Sequence, residues 1–202
     1  MTAAQLEADF LARMGSPFGP FYYALYKEVV WLHAKWNEYR VLYGTTPESV
    51  HILNRTAGFL FRIVGDALWA DVLLHISRLT DPAATGGSRN LSIQALPSFL
   101  GDPLKAELIP LVAIASEKAH FAREHRNKRL AHTDLLHATE PAAAPLSGIS
   151  RRHVEEMLLA LRNVMAPIDK HYRDTTVIYE RLISENGAAR LLSRLRRSEP
   201  CT

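Results

Sequence analysis

Apolar residues recur at steps of three and four along most of the chain, which is the spacing of one face of an α-helix. The first long stripe predicts a helix from about Pro20 to Tyr43, which Gly44 ends. A second helix opens at Pro47 and stops before the turn-like segment 78–82. It carries apolar residues on two sides, so we expect it to be central: one side has Leu53, Ala57, Leu60, Val64 and Leu68, the other Ile52, Phe59, Ile63, Ala70 and Leu73.

Two further long helices follow a loop and a short helical stretch near Ile93 to Leu100. Asp102 and Pro103 predict the N-cap and first residue of a helix that runs to about Leu136, with Pro110 as the place for a kink. Its stripe is Leu104, Leu108, Leu111, Ala115, Ala119 and Ala122.

The last long helix follows a Pro- and Ala-rich linker over 139–149. Ser150 predicts its N-cap and Pro167 a bend. Its stripe is Val154, Leu158, Leu161, Met165, Ile168 and Tyr172. Short helices near Thr2 to Met14 and near Gly187 to Arg197 complete the set.

No segment alternates apolar and polar residues over a strand's length, and the run 175–179 is too short to build a sheet. The predicted fold is therefore all-α: an up-and-down bundle of four long helices plus short flanking helices. A length of 202 residues fits one domain over 1–202, with a core at about 20–180 and a basic C-terminal segment at 187–202.

The composition says more about the compartment of the protein than about its chemical activity. The single cysteine, Cys201, allows neither an internal disulfide nor a cysteine-based metal site. The N-terminus lacks the basic-then-apolar order of a signal peptide, and no stretch reaches the ~18 apolar residues of a membrane span. We therefore expect a cytoplasmic protein without a membrane partner. The net charge of +3 permits an anionic partner without proving one.

Several catalytic and metal motifs are missing from the sequence. Nucleotide phosphate loops, the Gly-x-Ser-x-Gly elbow and His-Glu-x-x-His do not occur. Two Glu-x-x-His pairs occur, at 48–51 and 117–120, where chance predicts nearly one, and the first fits a first-turn carboxylate at a helix N-terminus better than a ligand set. Asp71 and His75 share a helix face and predict a buried, hydrogen-bonded polar pair. We expect no metal and no cofactor.

The strongest local feature is Arg126-Asn127-Lys128-Arg129-Leu130-Ala131-His132. Arg126 continues the stripe of Ala115, Ala119 and Ala122, so its guanidinium needs a carboxylate, a phosphate or an interface unless the helix has left the core and the side chain is solvated. Arg126 and His132 would point about 120° apart on an ideal helix. Either the helix distorts, the long Arg side chain spans the gap, or the two residues meet across a symmetric interface.

An Arg and a His without metal ligands suit the cleavage of RNA phosphodiesters. A neutral His takes the proton from a ribose 2′-hydroxyl, or as imidazolium it gives one to the leaving oxygen. Arg clamps the phosphate and stabilises the charge that develops on it. An Arg and a His this close in sequence also arise by chance, so the pair alone is weak evidence.

The segment resembles the signature of HEPN domains (higher eukaryotes and prokaryotes nucleotide-binding), Arg-polar-x(3 to 5)-His, and these domains are helical bundles. Together with segments 78–82 and 89–93, it resembles the AbiU-type HEPN proteins of abortive infection over roughly residues 20–180. The resemblance implies a metal-independent endoribonuclease, a toxin or phage-defence effector, that works as a homodimer. It implies catalytic roles for Arg126, Asn127 and His132. It also implies RNA binding by Arg123, Lys128 and Arg129, and support of the site by Arg78, Asp81 and Asp134.

The same resemblance leaves a second function open. Some HEPN proteins cut no RNA and bind RNA or a protein partner instead, such as a nucleotidyltransferase. The expected partners are therefore an RNA substrate, a second copy of the chain, and an antitoxin or nucleotidyltransferase.

Overall fold

The computed structural model describes residues 2–127, 148–180 and 186–198. In these ranges the regular elements are helices apart from one short hairpin, which confirms the predicted all-α fold. The elements are α1 (Ala3–Met14), α2 (Phe18–Tyr43), α3 (Pro47–Leu79), β1 (Ala84–Thr85), β2 (Ser88–Arg89), a 3₁₀ helix (Ile93–Phe99), α4 (Leu104–Lys118), α5 (His120–His125), α6 (Arg151–Arg173) and α7 (Ala188–Ser198).

The chain divides into two compact units. The first comprises Met1–Val30 and Leu73–Ile178, and the second comprises Trp31–Val72 and Tyr179–Thr202. Whether residues 1–202 act as one domain stays a prediction.

Local signals in the sequence place the ends of α1 and α6. Thr2 and Gln5 form a capping box at α1, and Ser150 and His153 form one at α6, where Ser150 was the predicted cap. The predicted α6 stripe is buried from Val154 to Ile168, and the helix continues through Pro167. In the first unit, α6 packs along α4.

The third predicted helix is interrupted, but not where its proline lies. Pro110 sits inside α4, whereas the break comes at Ala119, between α4 and α5. The Arg123 guanidinium donates to the carbonyl of Ser116 and so satisfies an acceptor near the break. The N-cap prediction was wrong: Pro103 takes that position without a side-chain cap, because α4 begins one residue later than expected, at Leu104. The predicted end at Leu136 lies outside the described residues.

The expectation that α3 is central, because it is apolar on two sides, was also wrong. Phe59, Leu60 and Ile63 are 81%, 55% and 51% exposed. The backbone of Ala57 is non-helical, directly after Thr56, whose hydroxyl donates to the carbonyl of Ile52. Such back-bonding bends helices, and the break at Ala57 interrupts the predicted stripe that includes Leu53 and Leu60.

The basic C-terminal helix α7 is part of the second unit. Ala188 and Leu192 form a buried cluster there with Leu42 and Leu53. At the edge of that unit, Arg196 Nε lies 3.0 Å from a carboxylate oxygen of Glu48. This segment is therefore packed by its apolar face and is more than a solvated basic tail.

The loop predicted after α3 contains the small hairpin. Gly86 and Gly87 form its turn with φ of 56° and 84°. A two-residue turn that needs positive φ at both central positions favours glycine, which explains the Gly-Gly pair.

Candidate active site

Arg126 follows the end of α5, in line with the alanine stripe of α4 and α5. Ala115, Ala119 and Ala122 on that stripe are fully buried. The Arg126 Nη1 donates to Asp81 Oδ1 at 2.6 Å, and the two side chains are only 24% and 23% exposed. The sequence left a carboxylate, a phosphate, an interface or solvent as the surroundings of this guanidinium. In the structure it pairs with a carboxylate and is largely shielded from solvent.

Asn127 holds the same guanidinium from a second direction. The Nε of Arg126 donates to its Oδ1 at 3.1 Å. Both residues have π-helical backbone, a widened turn that recurs at functional sites. The helix is therefore distorted where the motif begins, which was one of the three alternatives for bringing Arg126 and His132 together.

Arg123 ties α5 to the loop that carries Asp81. Its Nη1 donates to the hydroxyl of Thr80 at 3.1 Å, and its other terminal nitrogen donates to the Ser116 carbonyl. Burial lowers the pKa of the Arg123 guanidinium, and the Asp81 carboxylate opposes that shift. The structure therefore gives Arg123 a structural task, while its role in RNA binding stays a prediction.

The loop around Asp81 is fixed by side chains from the segment that follows it. Ser92 Oγ donates to the carbonyl of Asp81 at 2.5 Å, and Gln94 Nε2 donates to the carbonyl of Thr80 at 2.8 Å. These bonds hold the Asp81 backbone, so its carboxylate is presented to Arg126 from a rigid position.

A polar cavity of about 210 Å³, here the Asp81 cavity, lies beside this ion pair. Among the predicted supporting residues, Arg78 and Asp81 both line it, and Arg78 is exposed. The complete lining is Glu28, His75, Arg78, Leu79, Asp81, Asn90 and Leu91.

The sequence pattern predicted no role for Glu28, and it predicted Asp71 as the partner of His75. The predicted pair of Asp71 and His75 was wrong: Asp71 pairs with Lys35 at 2.5 Å, whereas His75 Nε2 lies 2.9 Å from Glu28 Oε2. Spacing on one helix could not reveal this, because Glu28 comes from α2. Asn90 also lines the cavity and was not predicted as a site residue. The signal that could have indicated it is the segment 89–93, one of those on which the HEPN resemblance rests.

The other predicted site residues, Lys128, Arg129, His132 and Asp134, lie outside the described residues. Within the described ranges, no three His, Cys, Asp or Glu side chains group as metal ligands would. In the same ranges no helix is long and apolar enough to cross a membrane.

A family model of HEPN type, HEPN AbiU2, described as AbiU2, matches residues 15–191. The chain belongs to the HEPN AbiU2 family. The match contains Arg78, Asp81 and the whole Arg126 to His132 segment, and it reaches into α7, beyond the range of 20–180 indicated by sequence. This HEPN AbiU2 protein is thus an abortive-infection HEPN-type module. No curated protein and no solved structure matches it.

Proposed function

We propose that this HEPN AbiU2 protein is a metal-independent endoribonuclease that acts as a toxin or phage-defence effector. The observation that carries the proposal is the setting of Arg126, whose guanidinium is held by Asp81 and Asn127 beside the Asp81 cavity. A guanidinium has a planar fork of donors that matches the oxygens of a phosphate. Holding it from two directions fixes the fork before the substrate arrives.

In the proposed reaction the nucleophile belongs to the substrate. The ribose 2′-oxygen attacks the adjacent phosphorus, and the bond from phosphorus to the 5′-oxygen of the next nucleotide breaks. His132 either takes the proton from the 2′-hydroxyl, with water protonating the leaving 5′-oxygen, or gives a proton to that oxygen, with water taking the proton of the 2′-hydroxyl. Arg126 stabilises the charge on the phosphate oxygens. The products are a 2′,3′-cyclic phosphate and a 5′-hydroxyl end.

Asp81 has a distinct part in this proposal. Because its carboxylate occupies Nη1 of Arg126, an incoming phosphate must replace it or share the guanidinium with it. Asp81 therefore keeps the guanidinium oriented in the free protein, while Lys128 and Arg129 supply positive charge for the RNA backbone.

The test is incubation of the purified protein with end-labelled single-stranded RNA and transfer RNA in EDTA, with product ends read on a gel. We expect cyclic-phosphate products from the wild type and none from His132→Ala or Arg126→Ala. Arg126→Lys should also lose most activity, because lysine keeps the charge but not the fork. Arg152→Ala is the matched control, since that side chain is 84% exposed and pairs with Glu156 on its own helix.

Two results would contradict the ribonuclease proposal. One is equal cleavage of a substrate with deoxyribose at every position, because it has no attacking 2′-hydroxyl. The other is RNA that stays intact but is retained by wild type and His132→Ala in a shift assay. That second result is what the alternative function, a non-catalytic RNA-binding or partner-binding HEPN module, predicts.

The proposal includes assembly partners that follow from the family. We expect a homodimer in which two motifs face one cleft, and an antitoxin or nucleotidyltransferase as a protein partner. Light scattering of the purified protein tests the dimer, because it gives the molar mass directly.

A further inference from the structure

A second cavity shares a wall with the Asp81 cavity. Its volume is about 320 Å³, and its lining is Pro17, Phe21, Arg89, Asn90, Leu91 and Phe99. Asn90 and Leu91 line both cavities. The two spaces therefore adjoin along the segment that follows the hairpin, within the first unit.

Two aromatic side chains, Phe21 and Phe99, line the second cavity with a cation beside them. The rings of Phe21 and Phe99 stack with centroids 4.6 Å apart and planes at 29°, and Arg89 Cζ lies 5.5 Å from the centre of the Phe99 ring. Neither ring is fully buried, and Arg89 is exposed. We call Phe21, Phe99 and Arg89 the Phe99 platform.

Hydrogen bonds hold the platform's loop in place. Asn90 Nδ2 donates to the carbonyl of Pro82 and to the hydroxyl of Thr85, both at 2.8 Å. Its backbone nitrogen donates to the carbonyl of Ala83 at 2.9 Å. Asn90 is thus bonded to the loop that carries Asp81, so Arg89 of the platform and Asp81 of the Arg126 site belong to one hydrogen-bonded segment.

We propose that the Phe99 platform binds the base of an unpaired nucleotide in the RNA strand whose phosphate lies at Arg126. The inference rests on the proposed function for the position of that phosphate. Aromatic faces and an Arg guanidinium stack on any base, because every base has a π-face. The cavity volume falls at the lower end of the ~300–1,000 Å³ range of ligand sites, which suits one nucleoside better than a longer segment.

Charge favours RNA over an apolar protein segment as the occupant. Arg89 borders the platform, Arg78 lines the adjoining Asp81 cavity, and Arg126 lies beyond Asp81. Basic side chains next to aromatic rings suit a single nucleic-acid strand, because the basic groups attract its phosphates and the rings stack on its bases. A duplex keeps its bases inside, so it offers the platform no exposed base face.

The experiment measures binding separately from cleavage. A single-stranded RNA with 2′-O-methyl at every ribose has no attacking hydroxyl, and its affinity is read by fluorescence anisotropy at fixed salt, beside a duplex of the same sequence. Phe99→Leu keeps apolar volume but loses the flat face, so we expect about ten-fold weaker binding of the single strand. We expect Phe99→Trp to bind it at least as well as the wild type, and duplex affinity to change in neither variant.

Phe59→Leu is the control, because Phe59 is exposed on α3 in the second unit. Thermal unfolding of all the variants establishes that they are folded. Wild-type affinity for the single strand in Phe99→Leu, or an equal loss for single strand and duplex, would overturn the inference. So would a wild type that does not bind the single strand.

The two proposals fail in distinguishable ways. Cleavage of natural RNA by the wild type with unchanged binding and KM in Phe99→Leu would leave the ribonuclease proposal standing and remove the platform. Phe99-dependent binding of single strands by a protein that cuts no RNA would leave the platform standing and remove the ribonuclease proposal.

Discussion

Arg126 Nη1 and Asp81 Oδ1 lie 2.6 Å apart although 45 positions separate the two residues in the chain. Both side chains are about three-quarters shielded from solvent. The pair joins the end of α5 to the loop after α3, and Asn127 completes the hold on the guanidinium. The Asp81 carboxylate therefore binds the same guanidinium that the proposed mechanism assigns to the phosphate.

The first prediction concerns this carboxylate. Asp81→Asn should bind the 2′-O-methyl single strand a few-fold more tightly, because a negative charge near the phosphate is removed. It should also lower kcat by about ten-fold, because the amide holds Arg126 less firmly and small displacements cost rate. Asp174→Asn is the control, since Asp174 is exposed and pairs with Lys170 at the C-terminal end of α6. An unchanged kcat would show that Asp81 does not position Arg126.

The second prediction separates the structural and RNA-binding roles of Arg123. Arg123→Met should lower the free energy of unfolding by about 2 kcal/mol, because bonds from a charged donor to Thr80 and Ser116 are lost. Urea denaturation measures this, with the exposed Arg152→Met for comparison. Unchanged stability combined with weaker RNA binding would assign Arg123 to the RNA alone.

The third prediction tests the approach of α1 to α2. A Cβ at Gly19 would lie 2.8 Å from the carbonyl oxygen of Phe10 and 2.9 Å from the Cα of Leu11, so backbone would have to move. Gly19→Ala should therefore lower the free energy of unfolding by about 2 kcal/mol despite the better helix propensity of alanine.

Gly101→Ala is the control for that substitution. A Cβ at Gly101 meets no atom within 4 Å in the part of the chain that the structure describes. Equal urea midpoints for the two alanine variants would contradict the close approach.

The fourth prediction concerns pH. Hydrogen bonds from Arg152 and Lys118 hold the pKa of Glu156 below its ordinary value of 4.5. A carboxyl with a lowered folded pKa stabilises the protein above its unfolded pKa, and this contribution is lost as pH falls through the folded pKa. Wild type should therefore exceed Glu156→Gln in stability at neutral pH, and the difference should shrink as pH falls below 4.5 and vanish below the folded pKa.

The measurement is the unfolding midpoint of both proteins across that pH range. Glu107→Gln, on the same helix as Lys118, serves as the control. A difference that stays constant with pH would mean that the ionisation of Glu156 is not its cause.

Local patterns were sufficient for most of the helices. The first long stripe predicted the start of α2 to within two residues and its end at Tyr43, and Ser150 marked the start of α6. These signals work because helix burial and capping join residues three or four apart, so the information lies within one segment. The positions of Arg126 and Asp81 in recognisable motifs were likewise visible in the sequence.

Among the described residues, the sequence alone thus determined most of the helices, several of their ends and the residues of the motif. Only the tertiary structure decided that Asp81 meets Arg126, that Arg123 bonds to Thr80, and that His75 faces Glu28. The break of α3 at Ala57, next to the local hydrogen bond from Thr56 to Ile52, was likewise visible only in the structure. The ion pairs and hydrogen bonds of Asp81, Arg123 and His75 join segments far apart in the chain, so they exist only once the helices have packed; periodicity, which reports one helix at a time, has no means of specifying them.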